Sequence, residues 1–126
     1  MMPHVLIVNN DIALQTDVAR MLQRAGYRTT VAGSASEALK AWDCEAFDLL
    51  VTDLSVPEMS AAELARRMRI DVRDLPVLYL SCDMDPLFVS RLAPWGGDAL
   101  LQKPFTAIDL VEAVGVLLGS HRNCAA

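Results

Sequence analysis

Asp53, Ser81 and Lys103 are an acid, a hydroxyl and an ammonium, each standing at or just beyond the end of a short apolar run. An acid can accept a phosphoryl group, and a hydroxyl and a lysine can stabilise its oxygens through charge-assisted hydrogen bonds. A further polar group, Asn9, Asn10 and Asp11, follows the first apolar run in the same way. These residues lie far apart in the chain. They can act together only if the fold gathers the ends of those runs at one rim.

The runs are Val5–Val8, Thr29–Ala32, Leu49–Thr52, Val77–Leu80 and Ala99–Leu101. Most are dense in Val, Leu and Ile and too short for helices, as expected of strands buried on both faces. Amphipathic stretches with helix start signals separate them. Asp11 can cap a helix running to about Ala25, with Gly26 as its stop and Leu14, Val18, Met21 and Leu22 on its apolar face. Ser34 with Glu37, and Ser60 with Glu63, have capping-box spacing. Asp85-Pro86 reads as a cap and first helical position, with Pro94 ending that helix. Thr106 and Asp109 open the last one, whose apolar face carries Ile108, Val111 and Val114. Five strands alternating with five helices imply an α/β fold, a doubly wound parallel sheet covered on both faces. In such a sheet ligands gather at the carboxyl ends of the strands. That is where the polar residues above belong.

The chain has 126 residues, 53% of them hydrophobic, which suits one domain over 1–126 with a core of about 4–118. The tail 119–126 is expected to fray. A net charge of −5 and a pI near 4.8 leave no basic stripe for nucleic acid or anionic lipid. Protein, small-anion or metal partners remain. Cys44, Cys82 and Cys124 are odd in number and lack C-x-x-C spacing, which suits reduced thiols rather than a zinc site or disulfides. The first residues lack a signal peptide's cationic region, and no apolar stretch reaches membrane-spanning length. A cytoplasmic location is expected. No G-x-G-x-x-G or Walker loop follows any strand, which argues against a flavin or nucleotide enzyme on this fold.

Three segments carry a resemblance to a known family. Phe47 to Met59 contains Asp53 at a strand end with Pro57 four residues later, Leu75 to Ser81 is a strand closing on a hydroxyl, and Leu101 to Phe105 contains Lys103-Pro104-Phe105. In this order and on these elements, they resemble the receiver domains of two-component response regulators. The resemblance covers about residues 4–118 and implies a flavodoxin-like receiver fold. It implies that Asp53 takes a phosphoryl group from a sensor histidine kinase or phosphotransfer protein. Ser81 and Lys103 would then engage the new phosphate, and the surface near the last two helices would shift toward a downstream protein target. The Lys-Pro peptide is commonly cis in that family. Such a protein is not an enzyme beyond self-catalysed phosphoryl transfer and dephosphorylation. Homodimerisation, and membership of a larger protein, stay open.

The family normally binds Mg²⁺ with two adjacent acids after the first strand, where this chain has Asn9 and Asn10. The metal set implied here is Asn10, Asp11, Asp53 and the backbone of Ser55. It is weakened, because at an effective dielectric of ~20 each lost charge near 4 Å forfeits up to ~4 kcal/mol of attraction before solvation offsets. Asp11 reads more readily as the helix cap, although a one-residue shift would make Asn10-Asp11 the pair. Ser60-Ala61 replaces the usual Asp-Gly, and Leu100 replaces the usual aromatic three before Lys103. The alternative function is therefore a pseudo-receiver, a protein-binding module that works without phosphorylation.

Overall fold

The computed structural model describes residues 2–54, 56, 58–81 and 98–125, with residues 120–125 described through their backbone. The strands are β1 (His4–Val8), β2 (Arg28–Ala32), β3 (Leu49–Asp53), β4 (Val77–Ser81) and β5 (Asp98–Gln102). The helices are α1 (Ile12–Arg24), α2 (Ala35–Cys44), α3 (Ala61–Asp71) and α4 (Ala107–Ala125). The helix expected from Asp85-Pro86 to Pro94 lies outside the described residues. All strand pairs are parallel, in the order β2-β1-β3-β4-β5. This is a doubly wound sheet, whose order reverses between β1 and β3.

The two faces of the sheet carry separate cores. Leu6, Val8, Leu50, Val77 and Tyr79 pack with Ala38 of α2 and with Leu64 and Met68 of α3. Val5, Ile7, Leu49, Val51, Leu78 and Leu80 pack with Val18 and Leu22 of α1 and with Leu110 and Val114 of α4. Successive residues of one strand thus serve opposite faces, which explains why the central runs carry no polar break. β1 and β4 are buried throughout. β2 and β5 have one strand neighbour each in the sheet and are more open.

Local chemistry sets the helix ends. Gly26 has φ +97°, and its N–H donates to Gln23 O while that of Tyr27 donates to Leu22 O. That is a Schellman ending, which favours glycine in the left-handed region. Thr106 and Asp109 form the full reciprocal capping box at 3.1 Å each way. Ser34 and Ser60 cap their helices through the N–H of Glu37 and Glu63, but neither glutamate returns the bond. Glu37 instead accepts from Gly33 N–H, and Glu63 pairs with Arg66 and Arg67. The backbone of α4 is helical through Ala125. Leu117 and Leu118 are buried against the sheet.

Candidate functional site

β3 and β5 flank β4, and the polar residues meet over the end of that central strand. Asp53, the last residue of β3, is in register with Leu80, and Leu54 N–H donates to Leu80 O at 3.2 Å. The backbone is therefore held on both sides of the Asp53 carboxylate. Ser81 closes β4 and is buried. Its carbonyl accepts from Lys103 N–H at 2.7 Å, which fixes the turn leaving β5. From there the lysine side chain reaches Asp53, with Nζ 2.8 Å from Oδ2. Both side chains are less than a fifth exposed, so the pair is shielded from bulk solvent. The Lys103-Pro104 peptide is cis.

The other polar cluster lies beyond β1. The last residues that β1 and β3 pair are Val8 with Thr52, so Asn9 and Asp53 are the next positions along the two neighbouring segments. Asn9 is 1% exposed. Its Oδ1 accepts from Asp11 N–H at 2.9 Å, an Asx turn leading into α1. This bond fixes the amide orientation, since a backbone N–H needs an acceptor. The Asn9 Nδ2 is then a buried donor with no hydrogen-bond partner among the described residues. Asn10 is exposed. Asp11 caps α1, its Oδ1 accepting from Ala13 N–H at 3.0 Å and from Leu14 N–H at 3.3 Å.

A divalent cation suits this donor set poorly. Mg²⁺ is held mainly through carboxylates and gives up its waters reluctantly. Asp53 is the one carboxylate of the pair at β3, and an ammonium already lies against it. Asn9 has turned its oxygen to a backbone N–H, and Asp11 is engaged at the helix start. Among the described residues no three His, Cys, Asp or Glu side chains cluster in a metal-binding arrangement. The backbone of Ser55, the remaining expected ligand, lies outside the described residues.

Other expectations come out as follows. Ala61 is the first residue of α3, so no positive φ is needed where the family has glycine. Among the described residues of that connection the left-handed one is Glu58, at φ +84°, and its Oε1 accepts from Ser36 N–H at 2.8 Å. That backbone bond, first among several, holds the Glu58 carboxyl below the ordinary glutamate range. Leu100 is half-buried and in register with Tyr79. Cys82 lies outside the described residues, and Cys44 is an exposed thiol. His4 is buried at the start of β1, Nδ1 against Ala46 O and Nε2 against Thr30 Oγ1, which makes it a satisfied core histidine.

Sequence reasoning missed the Asn9–Asp11 turn, although an asparagine two residues before a helix cap is a local signal for one. It also missed Glu58–Ser36 and the Arg69–Asp98 ion pair, which no local pattern announces.

A doubly wound sheet with an acid, a hydroxyl and a lysine at its carboxyl rim defines a class, and comparison with known proteins agrees. The sequence profile of the response regulator receiver domain matches residues 5–115. The chain belongs to that family. It is 29% identical over 111 residues to the two-component response regulator ORR3 of Oryza sativa subsp. indica, covering 86% of this chain and 85% of the relative. Against the sensory/regulatory protein RpfC of Xanthomonas campestris it is 27% identical over 125 residues, 96% of this chain but 17% of that protein. The chemotaxis protein CheY4 of Vibrio cholerae superposes with a TM-score of 0.86 at 27% identity, over 93% of this chain and 99% of that one. Receiver domains are signalling modules rather than enzymes in the usual sense, and they generally bind Mg²⁺ for phosphorylation. They interact with histidine kinases or phosphotransfer proteins. No helix among the described residues is long and apolar enough to cross a membrane.

Proposed function

We propose that this chain is a cytoplasmic receiver that takes a phosphoryl group on Asp53 and signals by changing its protein contacts. The donor would be the phosphohistidine of a sensor kinase or phosphotransfer protein. A carboxylate oxygen of Asp53 attacks phosphorus, the N–P bond breaks, and the electron pair leaves with the imidazole. The observation that supports this best is the Lys103 ammonium 2.8 Å from Asp53 Oδ2. On phosphorylation the same ammonium can pass from the carboxylate to a phosphoryl oxygen, and the Ser81 hydroxyl can donate to another. The added charge biases the domain toward the state that binds the downstream target.

A second reading is favoured by the donor set at β1. With Asn9 and Asn10 where acids would hold Mg²⁺, the chain would be a pseudo-receiver whose partner binds without phosphorylation. Treatment with acetyl phosphate, followed by intact mass, tests both. Gain of one phosphoryl group that is lost in Asp53→Asn supports the acceptor reading. No gain, with equal partner binding by the parent and Asp53→Asn, supports the pseudo-receiver.

A further inference from the structure

Just beyond the ends of β5 and β1 stand two hydrogen-bond donors, Lys103 and Asn9. Lys103 supplies an ammonium at 2.8 Å from the β5 side. On the β1 side stands Asn9, whose oxygen is spent on Asp11 N–H and whose buried Nδ2 has no partner among the described residues. Asp11, the nearest other acid in sequence, is turned to the α1 N–H groups. A buried donor left unpaired costs free energy, and a fold tolerates it where it faces negative charge or awaits a ligand. Toward a cation it is repulsive. An amide oxygen that already accepts from the backbone offers a cation one remaining lone pair and no net charge, where Mg²⁺ is held mainly through carboxylates.

We propose that the rim around Asp53 is a cation-excluding pocket, in which the Asn9 amide and the Lys103 ammonium take the electrostatic place of a divalent ion. The state of Asp53 is then set by protein donors alone, and the partner-binding surface does not follow Mg²⁺ concentration. This rests on the reading that Asp53 is the centre of the site. Its test reads cation binding rather than phosphorylation, so the two can fail separately.

Asn9→Asp is the informative substitution because it is isosteric. One carboxylate oxygen can keep the bond from Asp11 N–H while the other replaces the Nδ2 donor with a charged acceptor. Asn10→Asp adds a second acid at the exposed position. The ¹⁵N-labelled full chain and both variants, singly and combined, would be titrated with MgCl₂ at constant ionic strength, following the amides of residues 9, 53 and 103. Mn²⁺ broadening of the same amides, and thermal melts with and without Mg²⁺, provide independent readings. The parent is expected to show no saturable shift, no selective broadening and no change in melting temperature at millimolar Mg²⁺. The double variant is expected to lose stability without metal, through repulsion between neighbouring carboxylates, and to recover it with saturable shifts when Mg²⁺ is added. Saturable shifts in the parent that vanish in Asp53→Asn would overturn the proposal. So would a folded double variant as blind to Mg²⁺ as the parent, since the two amides would then not be the cause.

Discussion

Arg69 of α3 and Asp98, the first residue of β5, form an ion pair in which the carboxylate is only 5% exposed. Arg69 also donates to Leu75 O through Nε and Nη2, so the guanidinium holds the end of α3, the turn into β4 and the start of β5 together. Lys103 follows the other end of β5 and makes a shielded ion pair with Asp53. β5 is thus anchored by charge at both ends, which suits an edge strand with little apolar burial of its own.

Removing one partner of a shielded pair takes an opposite charge from the other, at roughly 3–5 kcal/mol. Asp98→Asn should therefore cost about 3 kcal/mol of unfolding free energy, read as a lower urea midpoint. Replacing both residues with apolar ones of similar size should cost much less. A double-variant loss equal to the sum of the two single losses would show that the pair contributes no coupling.

Tyr79 lies between the α3 core and this pair. Burial, followed by the Asp98 charge, pushes its phenol well above the ordinary tyrosine range, with Arg69 opposing. A group whose folded pKa is raised contributes stability that is complete below its unfolded pKa and is lost as pH rises beyond it. The parent should begin losing that stability from about pH 10, where an unfolded tyrosine ionises. Tyr79→Phe should have a shallower alkaline slope in denaturant melts, whatever its stability at pH 7. Parallel slopes would remove Tyr79 as a cause.

Much of the fold was legible in the sequence because its signals are local or periodic. Each apolar run became a strand within a residue or two of its expected ends, since burial on both faces demands an unbroken run. Asp11, Gly26, Thr106 and Asp109 did what their residue types favour at helix ends. The site was legible because parallel topology sends every strand end to one rim, which brings Lys103 to Asp53 across β4. Other relationships were hidden for a physical reason. Arg69–Asp98 and Glu58–Ser36 join residues far apart in sequence, and nothing in a charged residue's neighbours names its partner. Glutamate is also an unusual choice for a positive φ, so no turn signal marked Glu58.

The carboxylate of Glu58 ties the connection after Asp53 to the start of α2. The Ser36 backbone N–H lowers its pKa most, then the Ser36 and Ser34 side chains and the Lys40 charge. A depressed folded pKa contributes stability that is present above the unfolded value and lost as pH falls through the folded one. A carboxyl-detected NMR titration should find the Glu58 midpoint below that of an exposed glutamate. Ser36→Pro, which lacks the N–H, should return it toward the ordinary value. A midpoint indifferent to Ser36→Pro would show that the bond does not persist in solution.

Asp53 and Lys103 offer the most direct energetic test of the site. Each side chain is mostly shielded, so either single replacement strands a charge. Lys103→Met takes the ammonium from the Asp53 carboxylate, and Asp53→Asn leaves the ammonium facing an amide. Groups in direct contact commonly couple by about 0.5–3 kcal/mol in a double-mutant cycle. The double variant Asp53→Asn/Lys103→Met should therefore be more stable than the sum of the two single losses predicts, by at least about 1 kcal/mol. The cycle should give the same coupling with and without millimolar Mg²⁺, because here the ammonium rather than a metal ion neutralises the acid. A coupling that collapses when Mg²⁺ is added would mean that the ion competes with Lys103 for Asp53. The pocket would then behave as a metal site despite its two asparagines.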